Sequence, residues 1–280
     1  MLEKIILHKQ KEVAQLKKEI SIESLKQKSF FARKTISFKD SIKNGSGIIA
    51  EFKRKSPSKG IINDSVDVIE ITQGYASAGA SALSVLTDIA FFGGKISDLE
   101  IARAYNEIPI LRKDFMIDEF QIYRAKASGA DLILLIAAVL SPKRCLELAE
   151  KAKELGLEIL LEIHAREELE QVKEIAHIVD AVGVNNRNLK TFTVDIEESM
   201  RLFDEIQAIK NQNKTQNDFV VISESGLSDI ETVLRLKEKG FEGFLMGEYF
   251  MKHQNPAKAC KEFIEKLYAK AKLIPKEQQS

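Results

Sequence analysis

The sequence contains few cysteines, no excess of charge of either sign and no long hydrophobic run. Cys145 and Cys260 are the only cysteines in 280 residues, so neither a disulfide framework nor a thiolate zinc site is expected. Lys and Arg number 42, as do Asp and Glu, and the formal net charge is therefore zero. A balanced charge lacks the broad basic surface of general nucleic-acid and membrane binders, so we expect a small-molecule ligand, no nucleic acid and no membrane partner.

The longest apolar run, at 132–140, is well short of the roughly 20 residues that span a bilayer as a helix. The amino-terminal segment carries charges inside each of its apolar stretches, unlike a secretory signal peptide. Together with the few cysteines, these features predict a cytoplasmic protein.

Short apolar runs rich in Ile, Val and Leu alternate after residue 45 with longer charged stretches of helical period. This alternation is typical of βα units around a parallel sheet. Four of the intervening helices are predicted at 66–78, 141–155, 227–239 and 256–270. Glycines at 79, 129, 156 and 240 end four helices just before the next strand. The runs begin at Gly47, Ala82, Ile108, Asp131, Glu158, Ala181, Phe219 and Phe241.

Two folds are compatible with eight βα units. Eight units in roughly 235 residues match the (β/α)8 barrel, whose typical length is about 250 residues. A doubly wound open sheet is the alternative, but no Gly-x-Gly-x-x-Gly motif follows the first run, and polar residues end nearly every strand. We therefore predict an α/β fold of the (β/α)8 TIM-barrel class with an amino-terminal helical extension.

The extension comprises residues 1–45 and the barrel residues 46–280 in this interpretation. Val13, Leu16 and Ile20 form one helical stripe, and residues 38–42 predict a second, short helix. We expect the extension to cover the barrel mouth, either as a plug of one barrel end or as a flap that contributes to substrate binding.

Charged side chains end most of the predicted strands, which is where the active site of a barrel lies. Glu51 and Lys53 end the first run two residues apart and therefore face the same side. Because alternate strands contribute to a common layer, we expect the ionisable residues of the four odd strands to surround one cavity. The third, fifth, sixth and seventh runs end in Lys113, Glu162, Asn185 and Glu224.

Burial of an unpaired ion costs several kcal/mol, which leaves two interpretations of these charges. They form a structural salt-bridge network that closes the barrel mouth, or they serve a ligand. A lysine flanked by carboxylates is suited to proton transfer, so the second interpretation predicts acid–base chemistry.

Two glycine turns follow the last two strands. In many barrels backbone N–H groups at this position bind a phosphate, because glycine lets the oxygens approach. The loop after the first strand adds hydroxyl and ammonium donors, and an aromatic pair after the second and third strands could sandwich a planar substrate. The candidate binding residues are Ser225, Gly226, Gly247, Glu248, Lys53, Ser56, Ser58, Phe92 and Phe115.

The histidines indicate neither a metal nor a nucleophilic triad. Their positions lack metal-ligand spacing, and no triad with a histidine base is supported. We therefore expect no metal and no cofactor. The four histidines are His8, His164, His177 and His253.

Seven segments that contain these residues resemble the indole-3-glycerol phosphate synthase family, and together they extend over nearly the whole chain. EFKRKSPS and LRKDF are the most specific parts. The segments are IIAEFKRKSPSKG (48–60), LTDIAFFGG (86–94), ILRKDF (110–115), LLEIH (160–164), VGVNNRNL (182–189), ISESG (222–226) and FLMGEYFM (244–251).

The resemblance implies a carboxy-lyase of tryptophan biosynthesis. Its substrate would be 1-(2-carboxyphenylamino)-1-deoxyribulose 5-phosphate, whose aromatic ring attacks its own ketone carbon before carbon dioxide and water are lost. By motif, Lys113 resembles the general acid and Glu162 the general base. Glu51, Lys53, Asn185 and Glu224 match the family's supporting catalytic and binding residues.

The resemblance also implies how the substrate is held. Lys53 and Arg187 are candidates for binding the carboxylate, with the ring near Phe92 and Phe115. The family often has Gly followed by Ser or Thr in the last turn, where this chain has Gly247-Glu248. Backbone N–H groups there can still bind phosphate if the carboxylate points outward.

Two other functions stay open from the residues alone. One is an isomerase or Schiff-base aldolase of the phosphate-binding barrel class, with Lys113 as nucleophile. The other is a non-catalytic barrel that binds a phosphorylated metabolite, although the ring of ionisable residues argues against it. We expect a monomer that associates at most weakly with other enzymes of the tryptophan pathway.

Overall fold

Eight parallel strands close into a barrel in the computed structural model, which describes residues 1–188, 191–213 and 217–272. Each strand coincides with one of the predicted apolar runs, so the predicted (β/α)8 fold is confirmed. The barrel strands are β1 (Ile48–Phe52), β4 (Ala82–Leu86), β5 (Ile110–Lys113), β6 (Leu132–Ile136), β7 (Glu158–Ile163), β8 (Ala181–Asn185), β9 (Val220–Glu224) and β10 (Gly243–Met246). An antiparallel ribbon, β2 (Lys55–Ser56) and β3 (Gly60–Ile61), follows β1.

Helices precede the barrel, surround it and lie within several of its loops. In the described part of the chain, none is long and apolar enough to cross a membrane. The extension contains α1 (Leu2–Glu19), α2 (Ile22–Lys26) and α3 (Phe38–Asn44). The remaining helices are α4 (Val68–Ser77), α5 (Ile89–Phe92), α6 (Ile96–Tyr105), α7 (Glu119–Ala127), α8 (Pro142–Glu154), η1 (Arg166–Glu168), α9 (Leu169–Ile175), α10 (Ile196–Asn213), α11 (Ile230–Lys239), α12 (Glu248–Met251) and α13 (Pro256–Ala271).

The four helices predicted by boundary are confirmed as α4, α8, α11 and α13, with small shifts at their ends. The start of α11 differs most, because Asp229 caps the helix by accepting from the Thr232 N–H at 2.8 Å. The glycines predicted to end helices all have positive φ values, between 71° and 116°. They are Gly79, Gly129, Gly156 and Gly240.

Alternation along the strands separates two apolar layers. Ile49, Leu111 and Leu160 point into the barrel, where they form one buried cluster. Ala50 and Phe52 point outward and pack with the surrounding helices. Because successive side chains face opposite sides, a polar residue at the end of an inward-facing series lies at the mouth of the barrel.

The extension contacts both ends of the barrel. Helix α3 lies at the amino-terminal end, where Phe38 and Ile42 are buried with the interior layer and the Phe38 N–H donates to Glu158 Oε2 at 2.8 Å. Helix α1 lies at the opposite end, where the fully buried Lys9 Nζ is 2.8 Å from Asp88 Oδ2 and 2.9 Å from Asp114 Oδ1. The short helix predicted at 38–42 is confirmed. The domain boundary at residue 45 stays a prediction, and residues 273–280 of the second domain lie outside the described residues.

Candidate active site

A cavity of about 570 Å³ opens at the carboxyl ends of the strands, a volume typical of small-molecule sites. All the residues predicted for catalysis and binding line it, although their roles stay predictions. Residue Leu189, which ends one of the family-like segments, lies outside the described residues. The lining includes Glu51, Lys53, Ser56, Ser58, Phe92, Lys113, Phe115, Glu162, Asn185, Arg187, Glu224, Ser225, Gly226, Gly247 and Glu248.

Lys113, the last residue of β5, lies between two glutamates, Glu162 of β7 and Glu224 of β9. Its Nζ is 2.6 Å from Glu162 Oε2 and 2.7 Å from Glu224 Oε2. We call these three residues the lysine cluster. Beside it, Lys53 Nζ is 2.6 Å from Glu51 Oε1. An ammonium has three N–H donors, so Lys113 retains one donor beyond its two carboxylates.

The charges of the lysine cluster depend on each other. Burial lowers the pKa of Lys113, but the nearby carboxylates more than offset burial, so its pKa is raised and the side chain is an ammonium at neutral pH. Burial raises the pKa of Glu162, but Lys113 and His164 together bring it well below its ordinary value. Burial, with the charge of Glu162, raises the pKa of Glu224 to about 7 despite Lys113. Glu162 is therefore ionised near neutral pH, whereas Glu224 is partly protonated.

His164 is a site neighbour that the sequence interpretation missed. Its Nε2 is 3.2 Å from Glu162 Oε1 and its Nδ1 is 3.5 Å from Glu168 Oε2. Burial lowers the pKa of His164, but these two carboxylates raise it to about 9. The signal was its position two residues after Glu162, which is the spacing that relates Lys53 to Glu51.

Two glycines leave room for the carboxylates. A Cβ on Gly247 would lie 2.5 Å from Glu51 Oε1, and a Cβ on Gly183 would collide with Glu224 Oε1. Gly183 lies inside β8 and was not predicted as a site residue. A glycine within a buried strand is a known sign of close approach by another group, and this was the available signal.

The turns after β9 and β10 form the side of the cavity where phosphate was predicted. Ser225 and Gly226 have φ values of 68° and 75°, so two successive residues are left-handed. Such a conformation is uncommon for serine and is often found at functional sites. Gly247 precedes α12, whose first N–H groups have no partner within the helix.

Glu248 faces two cations across this side of the cavity. Its carboxylate oxygens lie 3.4 Å from Lys59 Nζ and 3.3 Å from Arg187 Nη2. The backbone N–H of Arg187 donates to Asn185 Oδ1 at 3.0 Å. Glu248 therefore joins the loops that follow β1 and β8.

The aromatic wall consists of Phe92 and Phe115, whose ring centroids are 6.1 Å apart. Asp88 caps the short helix α5, which carries Phe92, by accepting from the Phe91 N–H at 2.8 Å. Phe91 itself turns away and contacts His8 of α1, with ring centroids 5.6 Å apart. Leu2 and Ile5 of the same helix, and Met1 just before it, line the cavity.

Fold and site together define a (β/α)8 barrel with buried ionisable side chains around a cavity at the carboxyl ends of its strands. The family model for indole-3-glycerol phosphate synthase matches residues 2–263. An indole-3-glycerol phosphate synthase of Bacteroides thetaiotaomicron is 48% identical over 266 residues, which covers 95% of this chain and 98% of the relative. The enzyme of the same name from Salinibacter ruber is 40% identical and covers 99% of this chain and 98% of its own length. The chain belongs to the indole-3-glycerol phosphate synthase family.

Solved structures of other barrels agree on the fold alone. The 3-hexulose-6-phosphate synthase of Salmonella typhimurium has a TM-score of 0.57 at 13% identity and covers 80% of this chain and 99% of its own. KGPDC from Streptococcus mutans has a TM-score of 0.54, also at 13% identity, and covers 79% of this chain and 98% of its own.

Proposed function

We propose that Lys113 is the general acid and Glu162 the general base in the reaction of this enzyme. The enzyme is a carboxy-lyase of tryptophan biosynthesis that forms indole-3-glycerol phosphate from a small phosphorylated substrate. The observation that carries the proposal is the position of Lys113 Nζ, 2.6 Å and 2.7 Å from two buried carboxylates at the mouth of the barrel.

Ring closure is the first step in which the proposed acid acts. The substrate carbon that carries the carboxylate attacks the ketone carbon, and negative charge develops on the ketone oxygen. The free N–H of Lys113 stabilises that charge and then transfers its proton to give a hydroxyl group. The raised pKa of Lys113 keeps the donor charged before the substrate arrives.

Decarboxylation and dehydration follow, and the proposed base acts in the second of these. Loss of carbon dioxide returns the bonding electrons to the ring. Lys113, recharged by a proton from water, then gives the hydroxyl a second proton so that it leaves as water. Glu162 accepts the carbon-bound proton whose removal restores the aromatic indole. Glu162 is ionised for this task because Lys113 and His164 lower its pKa. Glu224 contacts Lys113 directly, and Asn185 and the Glu51–Lys53 pair line the same cavity, where we assign them supporting roles.

The cavity offers separate positions for the three parts of the substrate. Lys53 and Arg187 bind the carboxylate, and the ring lies against Phe92 and Phe115. The phosphate lies at the two glycine turns, where backbone N–H groups and the hydroxyls of two serines donate. The phosphate ligands in this proposal are Ser56, Ser225, Gly226, Gly247 and the backbone of Glu248.

The two roles are tested by following carbon dioxide and indole separately with synthetic substrate. Indole fluorescence is easily detected because the chain has no tryptophan. We expect Lys113→Ala to suppress both signals together, since it blocks ring closure. Glu162→Gln should release carbon dioxide in a burst ahead of fluorescence, because only dehydration is slowed. Glu170→Gln, at an exposed ion pair with Lys173, is the control and should change neither.

The reverse pattern, with a burst in Lys113→Ala and simultaneous loss in Glu162→Gln, would exchange the two roles. Borohydride with substrate tests the aldolase alternative. Because Lys113 acts here as an acid, no mass should be added to it. A substrate-dependent adduct on Lys113 would replace this mechanism with a Schiff base.

The assembly and location are also proposals. The enzyme acts as a monomer in the cytoplasm, with at most weak association with other enzymes of the pathway. The two cysteines support a reducing location, since both are buried and unpaired. The amino-terminal extension covers the mouth and contributes to substrate binding, which the cavity-lining residues Met1, Leu2 and Ile5 support.

A further inference from the structure

The lysine cluster presents a choice between two glutamates. Glu162 and Glu224 lie at almost the same distance from Lys113 Nζ, at 2.6 Å and 2.7 Å. Both are buried at the end of a barrel strand, and one ammonium lies between them. Geometry around Lys113 alone therefore does not decide which glutamate is the base.

The second oxygens of the two glutamates have different surroundings. Glu162 Oε1 lies 3.2 Å from His164 Nε2. Glu224 Oε1 is buried against Gly183 and has no hydrogen-bond partner among the described residues. Only Glu162 therefore faces a second potential cation.

His164 is itself held in place. Its backbone N–H donates to Glu168 Oε2 at 2.7 Å, and the same oxygen lies 3.5 Å from its Nδ1. The side chain is 8% exposed, so few other orientations are open to the ring. One ring nitrogen thus faces Glu162 and the other faces Glu168.

We propose that His164 is a positioning residue that selects Glu162, rather than Glu224, as the ionised base beside Lys113. The imidazolium stabilises the carboxylate of Glu162 and leaves the proton that the pair shares on Glu224. This inference rests on the proposed function, because it takes Glu162 as the base.

The charges around the ring support a cationic imidazole at neutral pH. Glu162 faces it from the same strand and Glu168 from η1, while Lys113 of β5 and Glu224 of β9 act on it through Glu162. Burial lowers the pKa of His164, and the two facing carboxylates bring it up to about 9. The ring therefore carries its positive charge where Glu162 must carry its negative one.

The first test is an NMR titration of the histidine rings, which needs no turnover. The His164 signal is assigned by its loss in His164→Gln. We expect His164 to titrate with a pKa of about 9 in the wild type. In Glu162→Gln that pKa should be lower by more than one unit. A titration at or below the ordinary value of 6.5 in the wild type would overturn the proposal, even if Glu162 proves to be the base.

The second test is the pH profile of kcat/KM. Without His164 the pKa of Glu162 should rise, so the acidic limb of His164→Gln should move up by about one pH unit. The ratio of kcat/KM at pH 6 to that at pH 4 should therefore increase severalfold, because the limb lies in the acidic range where Glu162 titrates. His177→Gln, at an exposed histidine, is the matched control and should keep the wild-type profile.

An equal loss of activity at every pH in His164→Gln would assign His164 a merely structural role and reject the proposal. If that variant does not fold, Glu168→Gln decides instead. It removes the carboxylate that faces Nδ1, so the His164 signal should titrate lower than in the wild type, while the acidic limb stays in place because the ring is still charged there. An unchanged His164 titration would mean that the ring does not lie between the two carboxylates and would equally reject the proposal.

Discussion

Glu248 is the residue at which the site departs from the pattern that the family resemblance implied. Its carboxylate contacts Lys59 and Arg187 beside the turn where we place the substrate phosphate. A carboxylate there has two opposing effects. It repels the phosphate, and it occupies two cations that would otherwise attract it.

Replacing Glu248 with Ser should therefore tighten the binding of phosphate. The change removes the repulsion, frees Lys59 and Arg187, and leaves the backbone N–H groups in place. We expect the inhibition constant of inorganic phosphate, and the KM of the substrate, to fall about two- to fivefold, the range of a solvent-exposed ion pair. Glu147→Ser is the control. Glu147 forms a similar exposed ion pair, with its carboxylate 2.8 Å from Arg144 Nη1, and neither residue lines the cavity.

Weaker inhibition by phosphate in Glu248→Ser would contradict this account. It would mean that Glu248 orders Arg187 for the substrate, and that this ordering outweighs the repulsion.

The sequence predicted most of the site at this scale, because inward-facing positions at the ends of strands follow from alternation. Glu51, Lys113, Glu162 and Glu224 were found in this way. His164 and Gly183 were missed for different reasons. The histidines were considered for metal-ligand spacing and for triads only, and the space that Gly183 leaves for Glu224 depends on a contact between neighbouring strands.

Helix α1 shows how an element is placed by a single buried charge. Lys9 Nζ lies within 2.9 Å of Asp88 and Asp114, and its side chain is fully buried. Asp88 caps the helix that carries Phe92, and Asp114 follows Lys113 in the chain. Burial alone lowers the pKa of Lys9, but these aspartates more than offset burial, and the net shift is upward. The contact therefore links the extension to both sides of the cavity.

Replacing Lys9 with Met should loosen α1 and reduce stability. Loss of one partner leaves buried carboxylates without their cation, which typically costs about 3–5 kcal/mol. Detachment of α1 limits the loss, because water can then reach the aspartates. We expect a thermal midpoint several degrees lower and a raised KM, measured by calorimetry and steady-state kinetics.

Lys17→Met is the control in the same helix. Lys17 also reaches an aspartate of the barrel, Asp118 at 3.0 Å, but its side chain is 49% exposed. Its loss should cost less than about 1 kcal/mol. Equal stability losses in the two variants would show that the buried ion pairs of Lys9 contribute no more to the free energy of unfolding than the exposed pair of Lys17.

The role of Lys9 was not predictable from the sequence. It lies in a helix with a lysine or glutamate in nearly every turn, where a lysine is normally solvated. Its partners come from loops about eighty and one hundred residues further along the chain. The sequence left the choice between plug and flap open for a similar reason, since it does not show that α3 and α1 contact opposite ends of the barrel.

At the scale of the whole molecule, buried titratable groups predict how stability depends on pH. His164 has a folded-state pKa of about 9, raised from 6.5. A group with a raised pKa contributes stability that is fully present below its unfolded value and is lost as the pH rises through its folded value. The pKa of Asp114 is lowered from 3.8 to about 2, so the stability that its carboxylate contributes is lost only in strong acid.

The free energy of unfolding should therefore fall between about pH 6 and pH 9.5, with a contribution from His164 of the order of 3 kcal/mol. Urea unfolding at the two pH values measures the difference. The decrease should be smaller in His164→Gln, because the variant lacks the titrating ring. An equal decrease in the wild type and the variant would assign the pH dependence to other groups.

The overall architecture was the most predictable feature, because eight alternations of strand and helix leave few ways to bury every apolar face. The sequence did not contain the closure itself, in which β1 pairs with β10 across the full length of the chain. That pairing follows from geometry once eight twisted strands are present. It also brings Glu51 of the first strand next to Gly247, which follows the last.

The central claim is that this closure assembles residues from four strands around one proton donor, Lys113. The most direct test is the turnover number of Lys113→Arg beside that of Lys113→Ala. Arginine retains the charge but hardly releases a proton, so we expect both variants to lose at least about 10²-fold in turnover with little change in substrate affinity. Near-normal turnover in Lys113→Arg would contradict the account and reduce the role of Lys113 to electrostatic stabilisation.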